Sequence, residues 1–174
     1  MTLHRPSNVD EPGTLAGLLG ALGQIGEALP LVWPVHPRSA GRLEAIGVPP
    51  QVRLVPPAGY LDFIALQASA RLVLTDSGGI QEETTALGVP CLTLRESTER
   101  PITVDEGTNR VVGCDPDTIV SAARETLKNP PPKRTPALWD GRAGARIADA
   151  LLDYLASDDR HRPTDLSMTV APVG

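Results

Sequence analysis

Four short stretches of this 174-residue chain carry side chains whose spacing could do chemistry. The most informative is Thr75-Asp76-Ser77-Gly78-Gly79-Ile80-Gln81-Glu82-Glu83, which follows the apolar run Leu72-Val73-Leu74. Glycines at a turn from strand into helix let a ligand approach the backbone closely. The free N–H groups of the helix start, with the helix dipole behind them, then favour an anion. Ser77 adds a hydroxyl donor. The pattern predicts a phosphate or diphosphate site. The plain alternative is a tight turn with Ser77 as a cap and no ligand, and the residues alone do not choose between the two. The segment matches neither G-x-G-x-x-G nor G-x-x-x-x-G-K-S/T, which disfavours a dinucleotide fingerprint and a P-loop. Glu82 and Glu83 can simply support the helix start. A carboxylate about one turn beyond a phosphate site can also accept hydrogen bonds from two ribose hydroxyls.

The second stretch is Leu94-Arg95-Glu96-Ser97-Thr98-Glu99-Arg100-Pro101, directly after another apolar run. Arginines at a strand end can clamp an anion bidentately, although this spacing favours surface pairing with Glu96 and Glu99. The third is His4-Arg5-Pro6-Ser7-Asn8, behind the strand stub Met1-Thr2-Leu3, and the fourth is His36-Pro37-Arg38. A lone histidine is more often structural than catalytic. Two at the carboxyl ends of strands in one sheet could share a cleft. His161 lies in the tail and receives no role.

These stretches need elements to position them. Apolar runs at 31–36, 52–55, 72–75, 90–94 and 110–113 read as short strands buried on both faces. Pro34 would require an edge or a bulge in the first of these. Helical spacing covers 13–29, 39–46, 61–70, 80–87, 117–128 and 141–156. Stops at Gly47 and Gly88, and Asp115-Pro116 at the start of the fifth, mark helix ends. Alternation of this kind predicts an α/β fold with a doubly wound, Rossmann-like parallel sheet. Ligands of such sheets bind outside the carboxyl ends of the strands, where all four stretches fall.

Composition bounds the answer further. Hydrophobic residues at 41% and charged residues at 21% argue for a packed globular domain. A net charge of −5 and a pI near 5.2 speak against a broad nucleic-acid face. No apolar run is long enough to span a membrane, and the first ten residues lack the apolar segment of a secretory signal. A cytoplasmic protein is expected. Cys91 and Cys114 stand apart without metal-ligand spacing, so neither a disulfide framework nor a metal site is expected. The eighteen prolines cluster between elements as punctuation. One domain is expected over 1–157, with the proline-rich linker at 129–136 before its last helix. A polar, disordered tail is expected over 158–174.

Taken together, Thr2-Leu3-His4-Arg5-Pro6-Ser7-Asn8, Pro34-Val35-His36-Pro37, Pro57-Ala58-Gly59-Tyr60-Leu61-Asp62-Phe63, the Thr75-to-Glu83 motif and Arg95-Glu96-Ser97-Thr98-Glu99-Arg100-Pro101 resemble the bacterial non-hydrolysing UDP-N-acetylglucosamine 2-epimerases. The resemblance implies a two-domain fold of the glycosyltransferase-B type, of which this chain is the C-terminal, UDP-binding half. It implies that Ser77, Gly78 and Gly79 hold the diphosphate and that Glu83 holds the ribose hydroxyls. Phe63 would lie near the uracil, and Arg100 would face the phosphate or sugar. His4 matches a catalytic histidine of the cleft, and His36 a residue of a second, activating substrate site. The implied reaction interconverts UDP-GlcNAc and UDP-ManNAc by eliminating UDP and adding it back, in cell-envelope polysaccharide biosynthesis. It needs no cofactor, and a homodimer of the full-length enzyme is implied. Pro6 and Ser7 depart from the His-Arg-Arg-Glu-Asn of many members. Because the family's catalytic carboxylates lie in the other domain, this chain alone is expected to be inactive. A non-catalytic UDP-sugar-binding module and a glycosyltransferase of the same fold are the alternatives.

Overall fold

Short apolar runs become strands, and the leucine- and alanine-rich stretches between them become helices. A computed structural model describes this for residues 1–35 and 37–158. The order is α1 (Pro6–Val9), α2 (Pro12–Gly26), β1 (Leu31–Pro34), α3 (Pro37–Ile46), β2 (Val52–Val55), α4 (Tyr60–Ala68), β3 (Val73–Thr75), α5 (Gly78–Leu87), β4 (Cys91–Thr93), α6 (Pro101–Asp105), β5 (Asn109–Val111), α7 (Pro116–Lys128) and α8 (Ala143–Asp158). Every strand pairing is parallel. β1 pairs with β2, Leu31 opposite Val52, while β4 lies between β3 and β5, with Cys91 opposite both Val73 and Asn109. This is the expected Rossmann-like α/β alternation, consistent with one subdomain of a glycosyltransferase-B type fold.

The sheet divides into two parts rather than running as one. Residues Met1, Thr2 and Leu3 lie on the seam. Thr2 forms a parallel bridge to Thr75 and donates its N–H to the Leu74 carbonyl at 3.0 Å. The Met1 amine donates to the Val32 carbonyl at 2.7 Å. Burial there pushes this amine down to about 6. A cavity of about 310 Å³ flanks the seam, with Val32, Phe63, Gln67 and Leu72 among its walls.

Capping residues mark two of the helix ends. Asp115 accepts the Thr118 N–H at 2.8 Å, with Pro116 in the first turn of α7, as its sequence predicts. Gly88 ends α5 in the left-handed region at φ 66°. α1 and α6 go unpredicted because four or five residues behind a proline show no period. Pro34 is tolerated in β1 for the reason anticipated. Val35 donates to the Val55 carbonyl, so the neighbouring proline nitrogen faces away from β2.

The core forms where the helical leucines meet the strands. Leu15, Leu18, Leu22 and Ile25 of α2 are buried with Trp33, Leu74, Leu92 and Leu94, and with Ile119 and Ala123 of α7. The described residues form two compact units, Met1–Pro136 and a second one beginning at Ala137. In the second, Arg146 forks onto Asp140 at 2.9 and 2.6 Å, just ahead of and within α8. The expectations for His36 and for residues 159–174 lie outside the described residues. Among the described residues, no helix is long and apolar enough to cross a membrane.

Candidate functional site

β3 ends at Thr75, and two residues later the chain turns into α5. Ser77 occupies the N-cap position in extended conformation but makes no side-chain cap bond, so its hydroxyl is not spent on the helix. Its N–H donates to Thr75 Oγ1 at 3.0 Å. Gly78 and Gly79 have no positive φ, and a Cβ added at either would meet nothing within 4 Å. Neither backbone strain nor packing therefore requires glycine there. Gly107 differs, since its added Cβ would fall 2.4 Å from the Thr103 carbonyl. What the two glycines of α5 supply is open access to the backbone N–H groups of a helix start, which suits an anion.

Asp76 lies at one side of this opening and is fully buried. Its Oδ2 accepts from the backbone N–H groups of His4 at 3.0 Å and Arg5 at 2.9 Å, and from Asn8 Nδ2 at 3.1 Å. Its Oδ1 lies 2.8 Å from His4 Nδ1 and 3.1 Å from the His4 N–H. Asn8 also donates to the Leu94 carbonyl at 3.0 Å, tying α1 to the end of β4. The His4 side chain is 62% exposed, so one edge of the ring meets a buried carboxylate while the rest is open.

The arginine stretch adjoins both Asp76, through Arg5, and α5, through Arg100. Arg95 forks onto Glu99 at 2.6 and 2.8 Å, and Arg5 reaches the same carboxylate at 3.2 Å. The Arg95 hydrogen bonds, reinforced by backbone and by the charges of Arg95 and Arg5, hold Glu99 down at about 2. Arg100 pairs with Glu82 through Nε at 2.9 Å. Surface pairing with Glu99 thus occurs as the spacing favours, whereas Arg100 takes Glu82 of α5 rather than Glu96. Beneath the loop, Thr98 and Asn109 both donate to Gln81 Oε1, and Gln81 Nε2 donates to the Ser77 carbonyl at 3.1 Å. That buried amide couples the arginine loop to the helix start.

One turn along α5, Glu83 accepts from Gln67 Nε2 at 2.6 Å. Gln67 is buried, and its Oε1 has no hydrogen-bond partner. Phe63, one turn earlier on α4, packs against the cluster of Val73, Ile80 and Val89 and lines the cavity at the seam. The structure thus gathers His4, Ser77, Gly78, Gly79, Glu82, Glu83 and Arg100 around the start of α5, with Phe63 joined to it through Ile80. His36 lies outside the described residues. Asp76, Arg5, Gln67 and Gln81 carry no role in the sequence reading. Only Asp76 offers a signal there, as a charged residue closing an apolar strand just before the glycines. Cys91 and Cys114 are free thiols, and burial pushes Cys91 up to about 12. Among the described residues, no group of His, Cys, Asp or Glu could hold a metal ion.

Known proteins share this arrangement of chain. The family described as UDP-N-acetylglucosamine 2-epimerase matches residues 1–152. A UDP-N-acetylglucosamine 2-epimerase of Methanococcus maripaludis is 36% identical over 157 residues, covering 86% of this chain and 43% of that protein. A UDP-2,3-diacetamido-2,3-dideoxy-D-glucuronate 2-epimerase of Pseudomonas aeruginosa is 40% identical over 151 residues, with the same coverages of 86% and 43%. The UDP-GlcNAc 2-epimerase of Methanocaldococcus jannaschii, solved in complex with UDP-GlcNAc and UDP, superposes with a TM-score of 0.75 at 36% identity. It covers 87% of this chain and 44% of that one. The chain spans less than half the length of these relatives.

Proposed function

The chain belongs to the UDP-N-acetylglucosamine 2-epimerase family, and from that premise we propose that it is the C-terminal, nucleotide-binding half of a UDP-GlcNAc 2-epimerase. The observation that carries this reading is the start of α5, where two glycines stand open and a serine is left uncapped. Ser77, Gly78 and Gly79 receive the diphosphate. Glu83, steadied by Gln67, accepts the ribose hydroxyls, and Phe63 lies beside the uracil. Arg100 exchanges Glu82 for the phosphate or sugar. His4 faces the reacting sugar, and His36 serves a second, activating substrate molecule.

The C2 proton of the sugar is not adjacent to a carbonyl, so direct removal is hard. Departure of UDP first, leaving a 2-acetamidoglucal, and its return on the other stereochemical course avoids that difficulty. The leaving diphosphate gains negative charge, which preorganised N–H groups and cations stabilise. Each such donor is worth about 100- to 1000-fold in rate. The carboxylates that move the C2 proton belong to the N-terminal half, so this chain alone does not turn over substrate. The whole enzyme works as a cytoplasmic homodimer that supplies activated sugars for envelope polysaccharide.

The 40% identity to the Pseudomonas enzyme favours a second reading, in which the nucleotide is the same and the sugar is a diacetamido uronate. Calorimetry of the chain with UDP and with inorganic phosphate tests the nucleotide site. UDP is expected to bind at about micromolar affinity or weaker, and phosphate much more weakly. Equal, negligible heats would refute the site. Joined to a matching N-terminal half in heavy water, the chain is expected to introduce deuterium at C2 of UDP-GlcNAc. Incorporation only into the diacetamido uronate substrate would establish the second reading.

A further inference from the structure

We propose that Asp76 is a positioning residue for His4, holding the imidazole as its Nδ1–H tautomer and leaving Nε2 as the acceptor presented to a bound sugar. The inference rests on His4 facing the substrate, as read above. It follows from a division of labour between the two oxygens of one buried carboxylate. Oδ2 takes the backbone N–H groups of His4 and Arg5 together with Asn8 Nδ2, and so fixes the turn into α1. Oδ1 shares the His4 N–H at 3.1 Å and has one side-chain partner, His4 Nδ1 at 2.8 Å. Every group that meets Asp76 through a backbone or amide nitrogen is a donor, which is the surrounding of an acceptor-only carboxylate. Nδ1 must then carry the ring proton, and the lone pair is left on Nε2 at the far side of a largely exposed ring. A charge formed on the ring by proton uptake at Nε2 would lie beside the carboxylate 2.8 Å from Nδ1, the logic by which an acid orients a catalytic histidine elsewhere.

An amide at this position separates the two duties. In Asp76→Asn the single oxygen stays where Arg5 N–H and Asn8 Nδ2 converge. The new NH₂ then faces His4 Nδ1, donates to it and forces the proton onto Nε2. The test is a long-range ¹H–¹⁵N correlation of the imidazole ring in the uniformly labelled full chain, with the His4 signals assigned by their loss in His4→Gln. The neutral wild-type ring is expected to show a single Nδ1–H form, and Asp76→Asn predominantly the Nε2–H form. No substrate is present, so the result is independent of whether the chain belongs to an epimerase of GlcNAc or of another sugar. A wild-type ring that is Nε2–H, or that averages both forms as a free imidazole does, would overturn the proposal, whether or not Asp76→Asn folds. An Asp76→Asn protein that melts like the wild type but keeps the Nδ1–H form would overturn it as well.

Discussion

Glu82 and Glu83 are neighbours in sequence with different commitments. Glu82 is held by Arg100 at 2.9 Å, whereas Glu83 is steadied by the neutral, buried Gln67 at 2.6 Å. A carboxylate held by an amide keeps its charge available for a diol, while one held by a guanidinium has it matched already. Glu83→Gln is therefore expected to weaken UDP binding about 10- to 100-fold, the scale of hydrogen bonds to a charged group of roughly 1.5–3 kcal/mol. Glu82→Gln should weaken it by less than about threefold. Calorimetric titration of both variants decides this, and equal losses would erase the distinction. Glu99 gives a second prediction at this scale. Its ordinary value is 4.5 and its folded value about 2. An acid depressed in the folded state contributes stability above its ordinary range, and that contribution fades as pH falls towards 2. Side-chain ¹³C titration should place Glu99 near 2 in the wild type and substantially higher in Arg95→Ala. An unchanged midpoint in that variant would show that the forked pair is absent in solution.

Among the elements, α5 separates a ligand explanation of its glycines from a structural one. Alanine at Gly78 meets nothing and suits a helix better than glycine does. Gly78→Ala should keep or slightly raise the melting temperature while its methyl obstructs the diphosphate, lowering UDP affinity at least about tenfold. Loss of affinity without loss of stability is the expected pair of results from calorimetry and thermal melting. Gly26, at the end of α2, is the opposite case. A Cβ there would lie 2.3 Å from Gln51 Cβ, so Gly26→Ala should destabilise by about 1–3 kcal/mol. That amounts to a fall of about 2–4 °C per kcal/mol for a chain of this size. The elements were largely legible because each carries its own period and punctuation. The five apolar runs did become strands, with ends set where pairing stops: 90–94 shortens to Cys91–Thr93, and 110–113 moves to Asn109–Val111. α1 and α6 were illegible because a single turn has no period. Of the candidate site, the open helix start at Ser77-Gly78-Gly79 was legible because its pattern is local. The site was illegible where it depends on distant partners. Asp76 meets Asn8 and His4 across separations of 68 and 72 residues, and the Glu83–Gln67 bond joins two helices whose proximity no local pattern records.

Over the whole chain, the seam between the two parts of the sheet has a consequence for the order of assembly. β1 and β2 are joined through α3, and β3, β4 and β5 through α5 and α6, so each part forms from segments close in sequence. The seam does not. Thr2 Oγ1 meets Thr75 Oγ1 at 2.8 Å across 73 residues, a loop whose closure entropy must be met before any contact offsets it. Its contacts should therefore be absent from the folding transition state and form only on the native side of the barrier. Thr2→Gly should speed unfolding while leaving the folding rate nearly unchanged. Alanine in place of Leu74, inside the core, should slow folding as well. Stopped-flow chevrons of the two variants read this directly, and a folding limb slowed equally by both would place the seam in the nucleus. If the seam closes last, it also opens first. The residues that carry His4 to Asp76 would then part from the rest of the sheet before the sheet itself comes undone, and the surroundings of His4 would be the earliest region to lose their shape under denaturant.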